Sequence, residues 1–98
     1  MNAEKYIILV QAETLPEYRE EVLAAARLNL PFTLAEPGCE AFFQTTVADH
    51  PEKLVFFEVF ASVDAHDFHL RQDYATKFFS ALTGKLVSPP TITKLKLV

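Results

Sequence analysis

The sequence has one cysteine, two glycines and no apolar run long enough to cross a bilayer. The single thiol, Cys39, cannot form an internal disulfide. Two glycines are too few for a loop that cradles phosphates, and there is no Cys-x-x-Cys pair and no flavin fingerprint, so we expect no cofactor. A membrane span needs about 20 apolar residues, so we expect none. No signal peptide is visible, which predicts a cytoplasmic protein.

Length and charge narrow the class of protein further. The 98 residues fit one domain, which we expect to span residues 1–98. A net charge of −4 and a pI near 5.2 argue against nucleic acids and anionic membranes as partners. Hydrophobic residues make up 50% of the chain and nine residues are Phe. This is more apolar surface than a small monomer easily buries, so the composition predicts a homodimer.

Alternating and helical spacings predict the element order β-α-β-β-α-β. The predicted strands are residues 5–13, 39–47, 53–61 and 91–98, with a turn at 49–52. A first helix is expected from about residue 15 to 30, with Thr14 and Glu17 as a capping box. Pro31 is expected to kink or end that helix, because proline lacks an N–H and clashes with the preceding turn. Pro37-Gly38 then predicts a sharp helix end before strand two.

The second helical region carries its own boundary signals. Ser62 or Asp64 can cap it, and the helical register is expected to break near Gln72–Asp73. Gly84 suits the residue that follows the helix end. The inward candidates of this region include Ala65, Phe68 and His69.

Strand three indicates how the sheet is covered. Both of its faces are apolar except for Glu58, whereas an antiparallel strand with one wet face alternates cleanly. We therefore predict a ferredoxin-like, split βαβ fold of the α+β class. Two helices would cover one face of a four-stranded antiparallel sheet, and a second copy of the chain would cover the other.

Glu58 is the first candidate for chemistry. A carboxylate inside an apolar strand is costly to bury unless it is paired, and burial raises its pKa. It is a candidate proton acceptor. The alternative is a structural role, as the partner of an Arg, a Lys or a backbone N–H at the dimer interface.

Two histidines on the second helix form the next candidate site. His66 and His69 are three residues apart, a spacing that can bind a metal on a helix, but such pairs are common by chance and no third ligand is evident, so we predict no metal. His69 lies nearer the inward side. It is a candidate acid or base in a pocket, and equally a half-buried histidine with a structural partner.

Polar and aromatic residues suggest a ligand pocket. Asn29 falls on the apolar stripe of the first helix, where its amide must find a partner. That partner is either a ligand carbonyl or the backbone groups freed by Pro31. Four aromatic residues are candidates to line the pocket, although for each one alone plain core is the favoured alternative: Tyr18, Phe42, Phe60 and Tyr74.

The order and spacing of three segments resemble the antibiotic biosynthesis monooxygenase domain. These segments are residues 36–39 (Glu-Pro-Gly-Cys), residues 56–60 (Phe-Phe-Glu-Val-Phe), and Ala65 with His69-Leu70. The resemblance implies a dimeric α+β barrel with a pocket between helices and sheet. It also implies a monooxygenase that needs no cofactor and oxidises small aromatic or quinol substrates with O₂. Other members of this family are isomerases of small molecules or haem-degrading proteins.

The resemblance also bears on individual residues. His69 matches the family's helix histidine and Glu58 its strand acid, so it implies that both are catalytic. Phe60 stands where Trp is frequent, and Tyr74 stands near where many relatives carry a second histidine. Two function classes therefore remain open from the sequence: a quinol-type monooxygenase with Asn29 and Tyr74 as hydrogen-bond partners, and a non-catalytic dimer that binds a small ligand or is structural.

Overall fold

The computed structural model describes residues 4–98 of the chain. The strands are β1 (Tyr6–Glu13), β2 (Cys39–Val47), β3 (His50–Phe60) and β4 (Thr91–Leu95). The α-helices are α1 (Arg19–Leu34), α2 (Val63–Leu70) and α3 (Asp73–Leu82), and a short 3-10 helix (Pro16–Tyr18) precedes α1. Among these residues no helix is long and apolar enough to cross a membrane.

The four strands form one antiparallel sheet in the order β2-β3-β1-β4. In this order β3 lies between β1 and β2, the two strands that α1 connects, which is the split βαβ arrangement. The predicted α+β ferredoxin-like fold is therefore confirmed. The strands with a neighbour on each side are therefore β1 and β3.

The two faces of β3 differ in burial. Leu54, Phe56 and Phe60 are buried on the face that packs against the helices. Phe57 and Val59 alternate with them, so they lie on the opposite face of the sheet, where they are half-buried. This second face is the apolar surface that the sequence assigned to a partner.

The predicted capping box at the start of the first helix is wrong. Thr14 is 1% exposed and continues the line of β1 in an isolated bridge with Leu86, and its hydroxyl donates to the carbonyl of Glu52. The chain then enters α1 through the 3-10 turn, with Pro16 in its first turn and no side-chain cap. The backbone bridge to Leu86 and the hydroxyl bond to Glu52 therefore hold Thr14 in line with β1, away from the start of the helix.

Pro31 lies inside α1, so the prediction that the helix ends near residue 30 is wrong. The helix continues to Leu34, and the missing N–H removes only one backbone hydrogen bond. Its buried stripe is Val22, Ala26, Asn29 and Thr33. Phe32, next to Thr33 in the last turn, is 56% exposed.

The connection between β2 and β3 is shorter than predicted. Val47 pairs with His50, so a two-residue turn at 48–49 joins the strands and residues 50–52 belong to β3 rather than to a turn. The register shifts between Thr46 and Val47. Pro51 falls within this irregularity, where a strand tolerates a missing N–H. At the other end of the sheet, β4 stops at Leu95 rather than at residue 98.

The boundary signals of the second helical region are confirmed. The Ser62 side chain accepts a hydrogen bond from the backbone N–H of Ala65 at 3.1 Å. The region breaks after α2 and resumes at Asp73, and Gly84 follows the end of α3 with a φ of 76°. Phe68, however, is 42% exposed, so it is not inward.

Candidate functional site

A cavity of about 180 Å³ lies between the sheet and the helices. Its wall is mostly apolar, with Ile8 and Phe56 contributed by the sheet and Phe78 by α3. The polar side chains on the wall are those of Asn29 from α1, Glu58 from β3, and His66 and His69 from α2. An apolar cavity with a few converging polar groups is the usual form of a small-molecule site.

His69 is held by Glu36, the first residue of the Glu-Pro-Gly-Cys segment. Its Nδ1 lies 2.7 Å from Glu36 Oε2, and the two side chains are only 5% and 3% exposed. The backbone N–H of Glu36 donates to the carbonyl of Thr33, and its own carbonyl accepts from Cys39. The turn after α1 therefore directs this carboxylate inward, beneath α2.

Gly38 allows α2 to approach this turn closely. A Cβ at this position would lie 2.5 Å from the Cβ of Ala65, in the first turns of α2. The need for glycine at position 38 comes from this close approach and not from a positive φ, which Gly84 has. The small pair Gly38 and Ala65 thus sets the distance between Glu36 and the helix that carries His69.

Tyr74 is the third member of the same hydrogen-bond group. Its hydroxyl donates to Glu36 Oε2, the oxygen that also meets His69. Its ring stacks on Phe32, with centroids 5.4 Å apart. Burial, followed by the hydrogen bond to Glu36, raises the pKa of Tyr74 well above its usual range, so the phenol keeps its proton and remains a donor.

These contacts define what His69 can do. A carboxylate only accepts hydrogen bonds, so Nδ1 carries the proton and the Nε2 of a neutral His69 is left as a proton acceptor. The rings of Phe42 and Phe60 lie 5.8 Å and 5.3 Å from the imidazole, centroid to centroid, and limit its movement. A histidine on a cavity wall, oriented by a buried carboxylate, is the arrangement of a general base.

Glu58 lies on the helix-facing side of β3 and lines the cavity. It is 6% exposed, and among residues 4–98 its carboxyl has no ion-pair or hydrogen-bond partner. Burial, and then the negative charge of Glu36, raise the pKa of Glu58 to about 7. It does not lie on the open face of the sheet, and the structural alternative, a partner at the dimer interface, stays a prediction.

Asn29 contributes an amide to the cavity wall. It is 5% exposed, and its Oδ1 is buried without a hydrogen-bond partner among residues 4–98. Among the same residues, Glu36 Oε1 is also buried without a hydrogen-bond partner. Buried acceptors normally have partners, and since Asn29 lines the cavity, its oxygen is available to a ligand there.

The structure separates the remaining aromatic candidates. Phe42 lines the cavity. Phe60 is fully buried against His69 and does not form the cavity wall, and Tyr74 lies behind His69, bonded to Glu36. Tyr18 lies on the 3-10 helix, is 37% exposed and is not part of the wall, so the structure does not place it in the pocket.

Glu36 is the site residue that sequence reasoning missed. It stood in the Glu-Pro-Gly-Cys segment but had been given no role, because its partners are 33 and 38 residues away in sequence. A local signal existed: a carboxylate between a helix end and a tight turn, followed by an inward histidine. Cys39, in the same segment, has a pKa raised to about 11, first by burial, so its thiol is protonated at neutral pH.

The spacing of His66 and His69 on α2 can bind a metal if a third ligand lies nearby. Within residues 4–98 no group of three or more His, Cys, Asp or Glu side chains is arranged to hold a metal ion. The ring centroids of His66 and His69 are 6.2 Å apart, and the Nδ1 of His69 is engaged by Glu36.

Comparison with known protein families identifies the family of the chain. The family model for antibiotic biosynthesis monooxygenase matches residues 5–81. This range includes the Glu36 turn, β3 and the histidines of α2. The comparison with curated proteins finds no match.

Solved structures share the fold along nearly the whole chain. A provisionally named antibiotic biosynthesis monooxygenase from Nitrosomonas europaea has a TM-score of 0.91 at 18% identity, covering 100% of this chain and 94% of that chain. Rv0793 from Mycobacterium tuberculosis has a TM-score of 0.90 at 23% identity, covering 96% and 95%. PA3566 from Pseudomonas aeruginosa has a TM-score of 0.91 at 14% identity, covering 100% and 98%.

Proposed function

The chain belongs to the antibiotic biosynthesis monooxygenase family, and we propose that it is a monooxygenase that oxidises a small phenolic or quinol substrate with O₂ and needs no cofactor. The observation that carries this proposal is the buried pair of Glu36 and His69, whose histidine lies on the wall of an apolar cavity. The pair supplies a base where an aromatic ring fits, and this is the one activating step that such a substrate requires.

His69 acts as the base. Its Nδ1–H donates to Glu36, so Nε2 accepts the proton of a substrate hydroxyl and the imidazolium that forms is stabilised by the adjacent carboxylate. The hydrogen bond from Tyr74 keeps Glu36 in place. Asn29 orients the substrate through its amide.

The electrons come from the substrate itself. The phenolate gives one electron to O₂, and the resulting superoxide joins the ring radical to form a C–O–O⁻ bond at a ring carbon that carries hydrogen. Protonation gives a hydroperoxide. The ring C–H proton then leaves, the O–O bond breaks, and one oxygen departs as water while the other remains as C=O. The phenol loses four electrons and O₂ gains four, so the reaction balances without a further reductant.

Glu58 donates and accepts the protons that move in the later steps. With a pKa of about 7, the carboxyl exists in both protonation states at neutral pH. It therefore can give a proton to the peroxide and take one from the ring carbon. Like His69, it lines the cavity, so both groups can reach a bound substrate.

The cavity also protects the reaction from water. Its lining is mainly apolar side chains such as Ile8, Phe42 and Phe56. Excluding water strengthens the electrostatic interactions in the site and limits side reactions of the radical and peroxide.

The working form we propose is a homodimer in the cytoplasm. Phe57 and Val59 are half-buried on the sheet face opposite the helices, and Phe43 beside them is 59% exposed. Covering this face with a second copy is the symmetric solution. We expect the dimer to bury about 1,600 Å² or more in total.

The test is oxygen consumption with a panel of hydroquinones, naphthols and naphthalenediols, using protein treated with chelator and free of flavin and haem. ¹⁸O₂ should place one labelled atom in the product and one in water. Loss of activity to chelator would contradict the proposal. Tight binding without any O₂ uptake would favour the alternative, a non-catalytic protein that binds a small ligand, and turnover of substrate without O₂ would favour an isomerase.

A further inference from the structure

His66 places a second imidazole on the cavity wall. It precedes His69 by three residues on α2, and the two ring centroids are 6.2 Å apart. Of these two histidines, the proposed mechanism uses only His69. The imidazole of His66 has no role in that mechanism.

Packing fixes the position of His66 without using its nitrogens. The ring stacks on Tyr6 with centroids 4.5 Å apart and meets Phe60 edge-on at 5.2 Å. The ammonium of Lys94 lies 5.1 Å from the Tyr6 ring on which the imidazole stacks. Among residues 4–98, neither ring nitrogen of His66 has a hydrogen-bond partner. Both nitrogens are therefore free to bond a ligand in the cavity or water.

The protonation state of His66 suits ligand binding. Burial, and then the electrostatic interaction with the neighbouring His69, lower the pKa of His66, so it is neutral at pH 7. A neutral imidazole offers one N–H donor and one acceptor nitrogen. It can therefore hold a hydroxyl or a carbonyl oxygen with equal ease.

We propose that His66 holds a second oxygen of the substrate, so that the cavity selects aromatic compounds with two oxygen substituents over those with one. The inference rests on the proposed function, because it assigns the first oxygen to His69. The size of the cavity limits the ring system. A cavity of about 150 Å³ holds benzene, so one of about 180 Å³ accepts one ring with its substituents or two fused rings.

A diol substrate also gives a reaction with O₂ in which electrons and oxygen atoms balance. An aromatic diol and O₂ give a hydroxyquinone and water. Oxidation of the diol to the quinone supplies two electrons, and conversion of one ring C–H to C–OH supplies the other two. One oxygen atom enters the ring and the other leaves as water.

The experiment measures binding without O₂, so that it does not depend on turnover. Dissociation constants are measured anaerobically by calorimetry for 1-naphthol and for the 1,2-, 1,3- and 1,4-naphthalenediols. The parent protein should bind at least one diol about tenfold more tightly than 1-naphthol, the value of one good hydrogen bond. The variant H66F keeps an aromatic ring for Tyr6 and Phe60 but has no nitrogen. It should lose the preference for the diol while binding 1-naphthol as the parent does.

Two further variants make the result specific. H66Q offers both a donor and an acceptor and should keep part of the preference, whereas H50F, at an exposed histidine on β3, should change nothing. Equal binding of diols and naphthol by the parent protein overturns the inference, as does an H66F variant that still prefers the diol or that loses both ligands. Diol selectivity without O₂ uptake would sink the proposed function but not this inference. Turnover by a protein that binds diols and 1-naphthol equally would overturn this inference but support the proposed function. No binding of any of these compounds would overturn both the inference and the proposed function.

Discussion

The Nδ1 atom of His69 lies 2.7 Å from Glu36 Oε2, although the two residues are 33 positions apart in sequence. We expect the variant E36Q to reduce turnover by about 10²-fold, because an amide does not stabilise the imidazolium as the carboxylate does. The measurement is kcat for a quinol substrate, with circular dichroism to show that the fold is intact. E40Q is the matched control, since Glu40 pairs with Lys5 on the surface. Full activity of a folded E36Q protein would contradict the assignment of Glu36.

The raised pKa of Glu58 makes stability depend on pH. The unfolded chain releases this proton near pH 4.5 and the folded protein near pH 7. The folded state therefore binds more protons between these values, and the free energy of unfolding contributed by Glu58 falls as pH rises through this window. At pH 8 the buried charge costs about 3 kcal/mol.

The variant E58Q removes that cost. We expect it to be more stable than the parent by about 3 kcal/mol at pH 8 and nearly equal to it at pH 4, measured by urea unfolding. The exposed E17Q serves as the control and should show no such pH-dependent gain. An E58Q protein that is less stable than the parent at pH 8 would indicate that Glu58 has a stabilising partner.

Gly38 controls the spacing between the Glu36 turn and α2. Because an added Cβ would meet Ala65 Cβ at 2.5 Å, G38A should destabilise the protein by about 1–3 kcal/mol and move His69 away from Glu36. The double variant G38A/A65G restores the space and should recover activity. G84A, where the cost arises from a φ of 76° with nothing within 4 Å, should not be rescued by A65G. Failure of the double variant to recover would argue against this close packing.

The open face of the sheet is the surface expected to join two copies. A charge at Val59 places an unpaired carboxylate in an apolar interface, so V59D should prevent dimer formation. Light scattering coupled to size exclusion measures the mass. L28D is the control, because Leu28 is 74% exposed on α1 and the substitution should leave the dimer intact. A parent protein of monomer mass at micromolar concentration would rule out the homodimer.

The order of the elements could be predicted because it depends on local pattern. The apolar run of β3, the cap at Ser62 and the glycine at position 84 each act within a few residues, and the structure confirms the strand, the cap and the helix end. The errors arose where tertiary contacts override local preference. Thr14 pairs with the 84–87 segment instead of capping a helix, and Pro31 is accommodated inside α1.

The site could be predicted only in part. His69, Glu58, Asn29 and Phe42 were named from inward spacing and resemblance, and all four lie on the cavity wall. The partnership of His69 with Glu36 could not be predicted, because it depends on how closely α2 packs against the turn after α1. That distance is set by three-dimensional packing between segments that are far apart in sequence.

The most direct test of the central claim compares the parent protein with H69A in an oxygen electrode. Both proteins are purified without flavin, metal or haem and are given the same quinol substrate. We expect O₂ uptake by the parent, and a rate lower by about 10²-fold or more in H69A, with binding of the substrate largely retained. An H69A protein that is folded and consumes O₂ as fast as the parent would contradict the central claim.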